Sequence, residues 1–432
     1  MSTVTCFENN LDENAERLAN PGLASRLWRA VDGVSARINQ YVYAAGKGYR
    51  GPGVYVGVAG IALMWLKLAD AANRGEKPPP EAMNLYLSDE NALLANALKL
   101  VCSGEGEIDR LKRHGRVTFL EGASGLHAIK ASVLHRLGRH DEAAKSVRAL
   151  EEMAAEVLGM DSGECEVLYG RCGYLYSLLF IESRLGVGTV DSGIFTKLVS
   201  QVLEEGMGFA SDRGKSDEFG LMYAWHGKSY LGACHGLAGI LYVLNLCPHQ
   251  VRQLYPNGEA RDALFRATRF LLKRALPSWN FPSSLGNDSD RLVQFCHGAP
   301  GVVLFFSQLL GATENTVLHS HGDFPALKEA CARGADLGAQ CVWERGLLTK
   351  GVGLCHGISG NGYAFLSLYR QTGDERYLKR ARAFADFTAE NWHALEEVPD
   401  NEASLYEGLA GAVCFWVDAM YPQHSSFPGF EI

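Results

Sequence analysis

Several things are scarce in this sequence of 432 residues, and each scarcity excludes something. Proline is low, at 14 residues, which argues against a linker-rich or disordered chain. No run of Lys and Arg appears, and the net charge is −8, so no footprint for nucleic acid is expected. Near the start, the uncharged apolar stretch from Gly53 to Leu66 falls short of the ~20 residues that a membrane span needs. The start, Met1-Ser2-Thr3-Val4-Thr5-Cys6-Phe7-Glu8, has no basic and apolar succession, so no signal peptide is expected, and Ser2 excludes N-myristoylation. The 11 cysteines are odd in number, and no two are three apart, so local Cys-x-x-Cys zinc fingers are excluded. Together these features lead us to expect reduced thiols and a cytoplasmic location.

What is abundant is glycine, with 48 residues, and it is ordered. A Gly-x-x-Gly unit followed by an apolar run occurs seven times, with first glycines at Gly57, Gly122, Gly170, Gly236, Gly298, Gly357 and Gly408. The intervals are 65, 48, 66, 62, 59 and 51 residues, so none is long enough to hide a further domain. The apolar runs, such as Ile240 to Leu246, Val302 to Leu310 and Ala412 to Val417, lack a polar face and suit helices packed within a core. Between them lie amphipathic stretches: Asp374 to Thr388 with Asp374 as N-cap, Asp141 to Glu156, and Leu264, Ala267, Leu271 and Ala275 at helical spacing. One apolar and one amphipathic helix per repeat predict an all-α (α/α)7 toroid. It forms a single domain over residues 1–432, with a helical lead-in at 1–45 and seven repeats from about 46. An open solenoid would need polar terminal repeats, and the terminal repeats here are apolar. The glycines read first as structural, permitting sharp turns and close helix approach. The functional alternative is that seven helix N-termini face a common anion.

The residue before each first glycine varies: Val56, Glu121, Tyr169, His235, His297, His356 and Glu407. If the glycine turns share one end of the toroid, these side chains ring its mouth, and the polarity of that rim marks it as the functional face. Three units read Cys-His-Gly, at Cys234-His235, Cys296-His297 and Cys355-His356, where composition alone predicts about 0.04 such tripeptides. Buried structural cysteine would suffice for one; three on one rim favour a metal, and thiolate with imidazole suits zinc. Spacing alone does not choose the ligands among the six. The other ten histidines, from His114 to His424, read as bystanders.

The seven repeats, Leu168-Tyr-Gly-Arg-Cys-Gly-Tyr174, Cys296-His-Gly-Ala-Pro-Gly301, Gly353-Leu-Cys-His-Gly-Ile-Ser-Gly-Asn361 and the tail Phe427-Pro-Gly-Phe-Glu-Ile432 resemble the eukaryotic LanC-like proteins, relatives of the bacterial lanthionine cyclases, end to end. The resemblance looks closest to the third paralogue. It implies one zinc held by Cys296, Cys355 and His356, an acid/base histidine at His235, and a lysine near glutathione at Lys350. Arg171 is a candidate guanidinium for a glutathione carboxylate, or a plain surface arginine. Glu166 stands where the bacterial cyclases place an aspartate, and Cys234 departs from the family's alanine and is not counted as a ligand. The implied chemistry is Michael addition of the glutathione thiol to dehydroalanine or dehydrobutyrine in peptides or proteins. His235 or His297 protonates the enolate. The alternative is an adaptor that binds zinc and glutathione without turnover. A glycosidase using Glu121 and Glu407 leaves the cysteines unexplained. Expected partners are therefore glutathione and dehydroamino-acid proteins. Nucleic acid is not expected, no transmembrane segment is, and peripheral association with the plasma membrane stays open.

Overall fold

The computed structural model describes residues 5–19, 22–43, 51–79, 85–314, 316–396, 398 and 400–432. The expected junction between lead-in and repeats, at 45 and 46, lies outside them. Among the described residues there are helices and isolated bridges but no strand. Each of the seven Gly-x-x-Gly units opens a helix, whose N-cap is the first glycine: α1 (Val58–Asn73), α2 (Ala123–Arg136), α3 (Arg171–Leu185), α4 (Leu237–Asn245), α5 (Ala299–Leu310), α6 (Ile358–Thr372) and α7 (Leu409–Met420). Every residue of α4 and of α7 is buried, as the lack of a polar face requires.

Seven amphipathic helices alternate with them: Gly22–Tyr43, Glu90–Gly104, His140–Glu151, Ser192–Asp212, Glu259–Leu272, Phe324–Arg345 and Glu375–Leu395. Asp374 caps the last of these, accepting from the Arg376 N–H at 2.9 Å. Two expectations move. The stretch from Asp141 to Glu156 is broken, with a helix to Glu151 and a second short one at Ala154–Leu158. Ala275 falls beyond its helix, which ends at Leu272, so the apolar periodicity outlasts the helix itself.

The chain divides into two compact units, Met1–Leu150 with Trp343–Ile432, and Glu151–Val342. In the first, α6, α7, α1 and α2 are successive neighbours, so the last repeat packs against the first. Their loops are stitched in the same order. Cys355 N–H donates to Tyr406 O (2.7 Å), Tyr406 N–H to Tyr55 O (3.1 Å), and Tyr55 N–H to Leu120 O (2.8 Å). The tail closes over this unit, with Phe427 and Phe430 fully buried and Glu431 accepting from Ser367 Oγ and pairing with Arg370, both at 2.7 Å. In the second unit α4 lies between α3 and α5, and Val167 N–H donates to Cys234 O at 3.0 Å.

The glycines are structural, though for a different reason than sharp turning. Six of the seven first glycines are extended, a conformation any residue adopts; only Gly298, at φ 119°, needs glycine for its backbone. What they share is crowding. A Cβ at Gly360 would overlap the Leu354 carbonyl oxygen, six residues upstream, and Gly60, Gly125, Gly239, Gly301 and Gly411 repeat that relation. The same loops consume the helix-start N–H groups. Ile358 donates to Gly351 O at 3.1 Å and Leu237 to Tyr230 O at 3.0 Å, and four other repeats bond likewise to the carbonyl seven residues back. In the fifth repeat Asn280 Oδ1 takes that role for Ala299 N–H, at 2.8 Å. These first-turn donors are satisfied locally, so they are not offered to a common anion.

Candidate active site

All seven residues before the first glycines are half-buried, and six of them sit between buried neighbours. The repeat thus places one side chain per loop at the edge between core and solvent.

In the second unit His235 is held on two sides. Its Nδ1 lies 2.7 Å from Glu166 Oε2, and Glu166 is 1% exposed. That carboxylate is itself fixed, accepting from Leu168 N–H at 3.0 Å and from Tyr169 N–H. With Nδ1 committed to an acceptor, the imidazole keeps Nε2 for exchanging a proton. The ring stacks on Trp225, with centroids 4.3 Å apart and planes 5° apart. Tyr169 stacks on the same indole at 5.6 Å, and Tyr230 and His297 complete the surround at 5.8 and 6.0 Å from His235. Cys296, next to His297, is 8% exposed, its thiol directed at Gln294 Oε1 at 3.6 Å. Cys234 is buried to 1%.

Arg171 is placed elsewhere. Its side chain is 3% exposed and pairs with Glu205 at 2.8 Å. The guanidinium also donates to Gln201 Oε1 and to the carbonyls of Met160, Asp161 and Glu164. It is neither a surface arginine nor a guanidinium presented to a ligand; it ties the loop before α3 to the Ser192–Asp212 helix.

In the first unit Cys355 is 3% exposed and His356 is half-buried beside it. A hydrogen bond with Cys355 pushes the His356 imidazole up from its ordinary value, with help from the charges of Cys355 and Glu407; burial and Lys350 oppose it. Glu407 accepts from Asn401 Nδ2 at 2.8 Å. Lys350 is exposed on the turn before Gly351, and among the described residues it has no hydrogen-bond or ion-pair partner. That turn is braced by the N-terminal arm, where Thr349 N–H donates to Thr5 O at 3.2 Å and Cys6 bridges Leu348. Two thiols and an imidazole from Cys296, Cys355 and His356 make a soft donor set that fits zinc in type and number.

The profile of the lanthionine synthetase C-like protein family matches residues 48–432. The chain belongs to that family. It is 36% identical to the zebrafish (Danio rerio) protein named glutathione S-transferase LANCL1, over 73% of this chain and 74% of that one. It is also 36% identical to the Arabidopsis thaliana LanC-like protein GCL1, over 73% and 70%. Among solved structures nisin cyclase superposes with a TM-score of 0.63 at 17% identity, covering 92% of this chain and 94% of its own. At that identity the likeness shows the fold alone: the seven-repeat all-α toroid expected from the glycine units.

Sequence reasoning missed Trp225 and Tyr230. Gly227 signals a turn between them, but nothing in the sequence says which way that turn points. It also left Glu166 without a role; the structure joins Glu166 and His235 across 69 positions.

Proposed function

We propose that this LanC-like chain is a zinc-dependent glutathione transferase that adds the glutathione thiol to dehydroalanine or dehydrobutyrine in peptides or proteins. Family membership and the name of the zebrafish relative support the glutathione transferase part. The Glu166–His235 pair carries the argument for catalysis, because a buried carboxylate that orients an imidazole is the arrangement proton transfer needs.

Cys296, Cys355 and His356 would hold the zinc. Bound there, zinc would lower the pKa of a thiol toward neutral pH. In the addition the thiol sulfur bonds to the β-carbon, the C=C π pair moves to the α-carbon and carbonyl as an enolate, and a proton must reach the α-carbon. His235 is the residue to deliver it from Nε2, with Glu166 fixing the ring through Nδ1. His297, 6.0 Å away, is the second donor to test. The exposed ammonium of Lys350 suits a glutathione carboxylate. Arg171 is left out, since its guanidinium is already engaged.

The test is turnover of a dehydroalanine peptide with glutathione, with zinc measured in the same preparation. Thioether formation with about one zinc per chain supports the reading. A zinc-loaded protein that binds glutathione without turnover overturns it in favour of an adaptor.

A further inference from the structure

Trp225 stands at the base of a four-residue turn, Trp225-His226-Gly227-Lys228, closed by N–H donation in both directions between Trp225 and Lys228, at 3.0 and 3.1 Å. Both central residues have positive φ, His226 at 47° and Gly227 at 75°. That is the type I′ pattern, in which the first centre is usually asparagine, aspartate or glycine. A histidine there is strained, and such strain persists only where the surroundings hold it. The exit from the turn is pinned, since Leu231 N–H donates to Ser283 O at 3.0 Å and Leu285 N–H to Ser229 O at 2.9 Å. The turn thus delivers one indole face to His235, parallel within 5°. The Trp225 Nε1–H is buried and has no hydrogen-bond partner among the described residues, so the indole acts through its face rather than its polar handle.

The Glu166 hydrogen bond by itself fixes one atom of the imidazole. It leaves the ring free to rock about the Nδ1–carboxylate line, which would swing Nε2. A parallel aromatic face removes that freedom. We propose that Trp225 is a positioning residue for His235, clamping the plane of the imidazole while Glu166 sets its rotation within that plane, so that Nε2 is held in one direction. The proposal rests on the reading of His235 as proton donor. The ring's polarity is not the operative feature, so phenylalanine should replace tryptophan here and leucine should not.

The experiment compares Trp225→Phe and Trp225→Leu in the full-length protein. One arm follows carbethoxylation of His235 by diethylpyrocarbonate, read by peptide mass spectrometry, and needs no turnover. His235 should be modified about tenfold faster in Trp225→Leu than in the wild type or Trp225→Phe, because an unclamped ring exposes Nε2 in more orientations. The second arm measures addition of glutathione to a dehydroalanine peptide. There kcat should fall about tenfold in Trp225→Leu with KM values unchanged, and recover in Trp225→Phe, as misorientation without lost binding predicts. Equal carbethoxylation rates in all three proteins overturn the positioning role. Faster modification of Trp225→Leu in a protein with no wild-type turnover would uphold the clamp and instead overturn the transferase reading. If circular dichroism shows Trp225→Leu to be unfolded, Trp225→Met takes its place, as another side chain with bulk but no ring face, and the same two outcomes apply.

Discussion

At the scale of single residues, His235 is the most informative position. An asparagine there retains an N–H for Glu166 and fits a half-buried site, but it cannot donate a proton. Replacing His235 with Asn should keep fold, zinc and glutathione binding, yet slow thioether formation by roughly 10²–10⁴-fold at saturating glutathione. The cysteines separate by a different measurement. Cys296→Ala and Cys355→Ala should lose the metal, read by elemental analysis, whereas Cys234→Ala should retain it. Full zinc in Cys355→Ala would remove that ligand from the set. His127, on α2, is unrelated to the chemistry and sets a pH limit. Burial, helped by Lys112 and Lys130 and opposed by Glu105, pulls its pKa from 6.5 down to about 4. The unfolded chain therefore binds a proton that the folded chain refuses. Its contribution is intact above pH 6.5 and is lost as the pH falls from there toward about 4, by up to about 3 kcal/mol. Urea midpoints for the wild type should drop over that interval. His127→Gln should flatten the decline; an equally steep decline would point to other groups.

At the scale of elements, the loop and helix of six of the repeats stand or fall on the second glycine. Gly360→Ala drives a methyl group into the Leu354 carbonyl, where the nearest atoms are all backbone and no flexible side chain can yield. A loss of several kcal/mol is expected, on the scale of severe packing defects. Gly208, on the helix Ser192–Asp212, is the control, since a Cβ there meets nothing within 4 Å. Gly208→Ala should raise stability by about 0.4–1 kcal/mol by restricting the unfolded chain. Denaturant midpoints of the two variants should therefore move in opposite directions. A tolerated Gly360→Ala would mean that the loop relaxes away from the helix start.

At the scale of the whole molecule, the first compact unit draws its helices from both ends of the chain. The α7 helix packs against α1 and the helix Gly22–Tyr43, and its twelve residues are all buried. We therefore expect cooperative folding as one domain. Removing everything from Ser404 onward should expose the apolar faces of α1 and α6 and leave aggregated material in size-exclusion chromatography. A soluble truncation with full helical circular dichroism would favour an open array of repeats. No helix among the described residues is long and apolar enough to cross a membrane.

The sequence by itself determined the number of repeats and the helix starts. Each depends on local crowding or on apolar content, and both are written in neighbouring residues. Gly357 and Gly360 announce α6 because a loop folds back within seven positions of its start. The Cys-His-Gly units likewise announced a soft donor set. Tertiary structure alone decided what each side chain meets across long separations. It set Arg171 against Glu205 and backbone carbonyls, although it sits inside a glycine unit. It joined Glu166 to His235, and it turned Trp225 onto the imidazole through a strained turn whose direction is fixed by Ser283 and Leu285. Periodicity reports which face of a helix is apolar; it carries no information about which loop residue a distant carboxylate or ring will reach. That is set only when the helices pack and their loops are brought together.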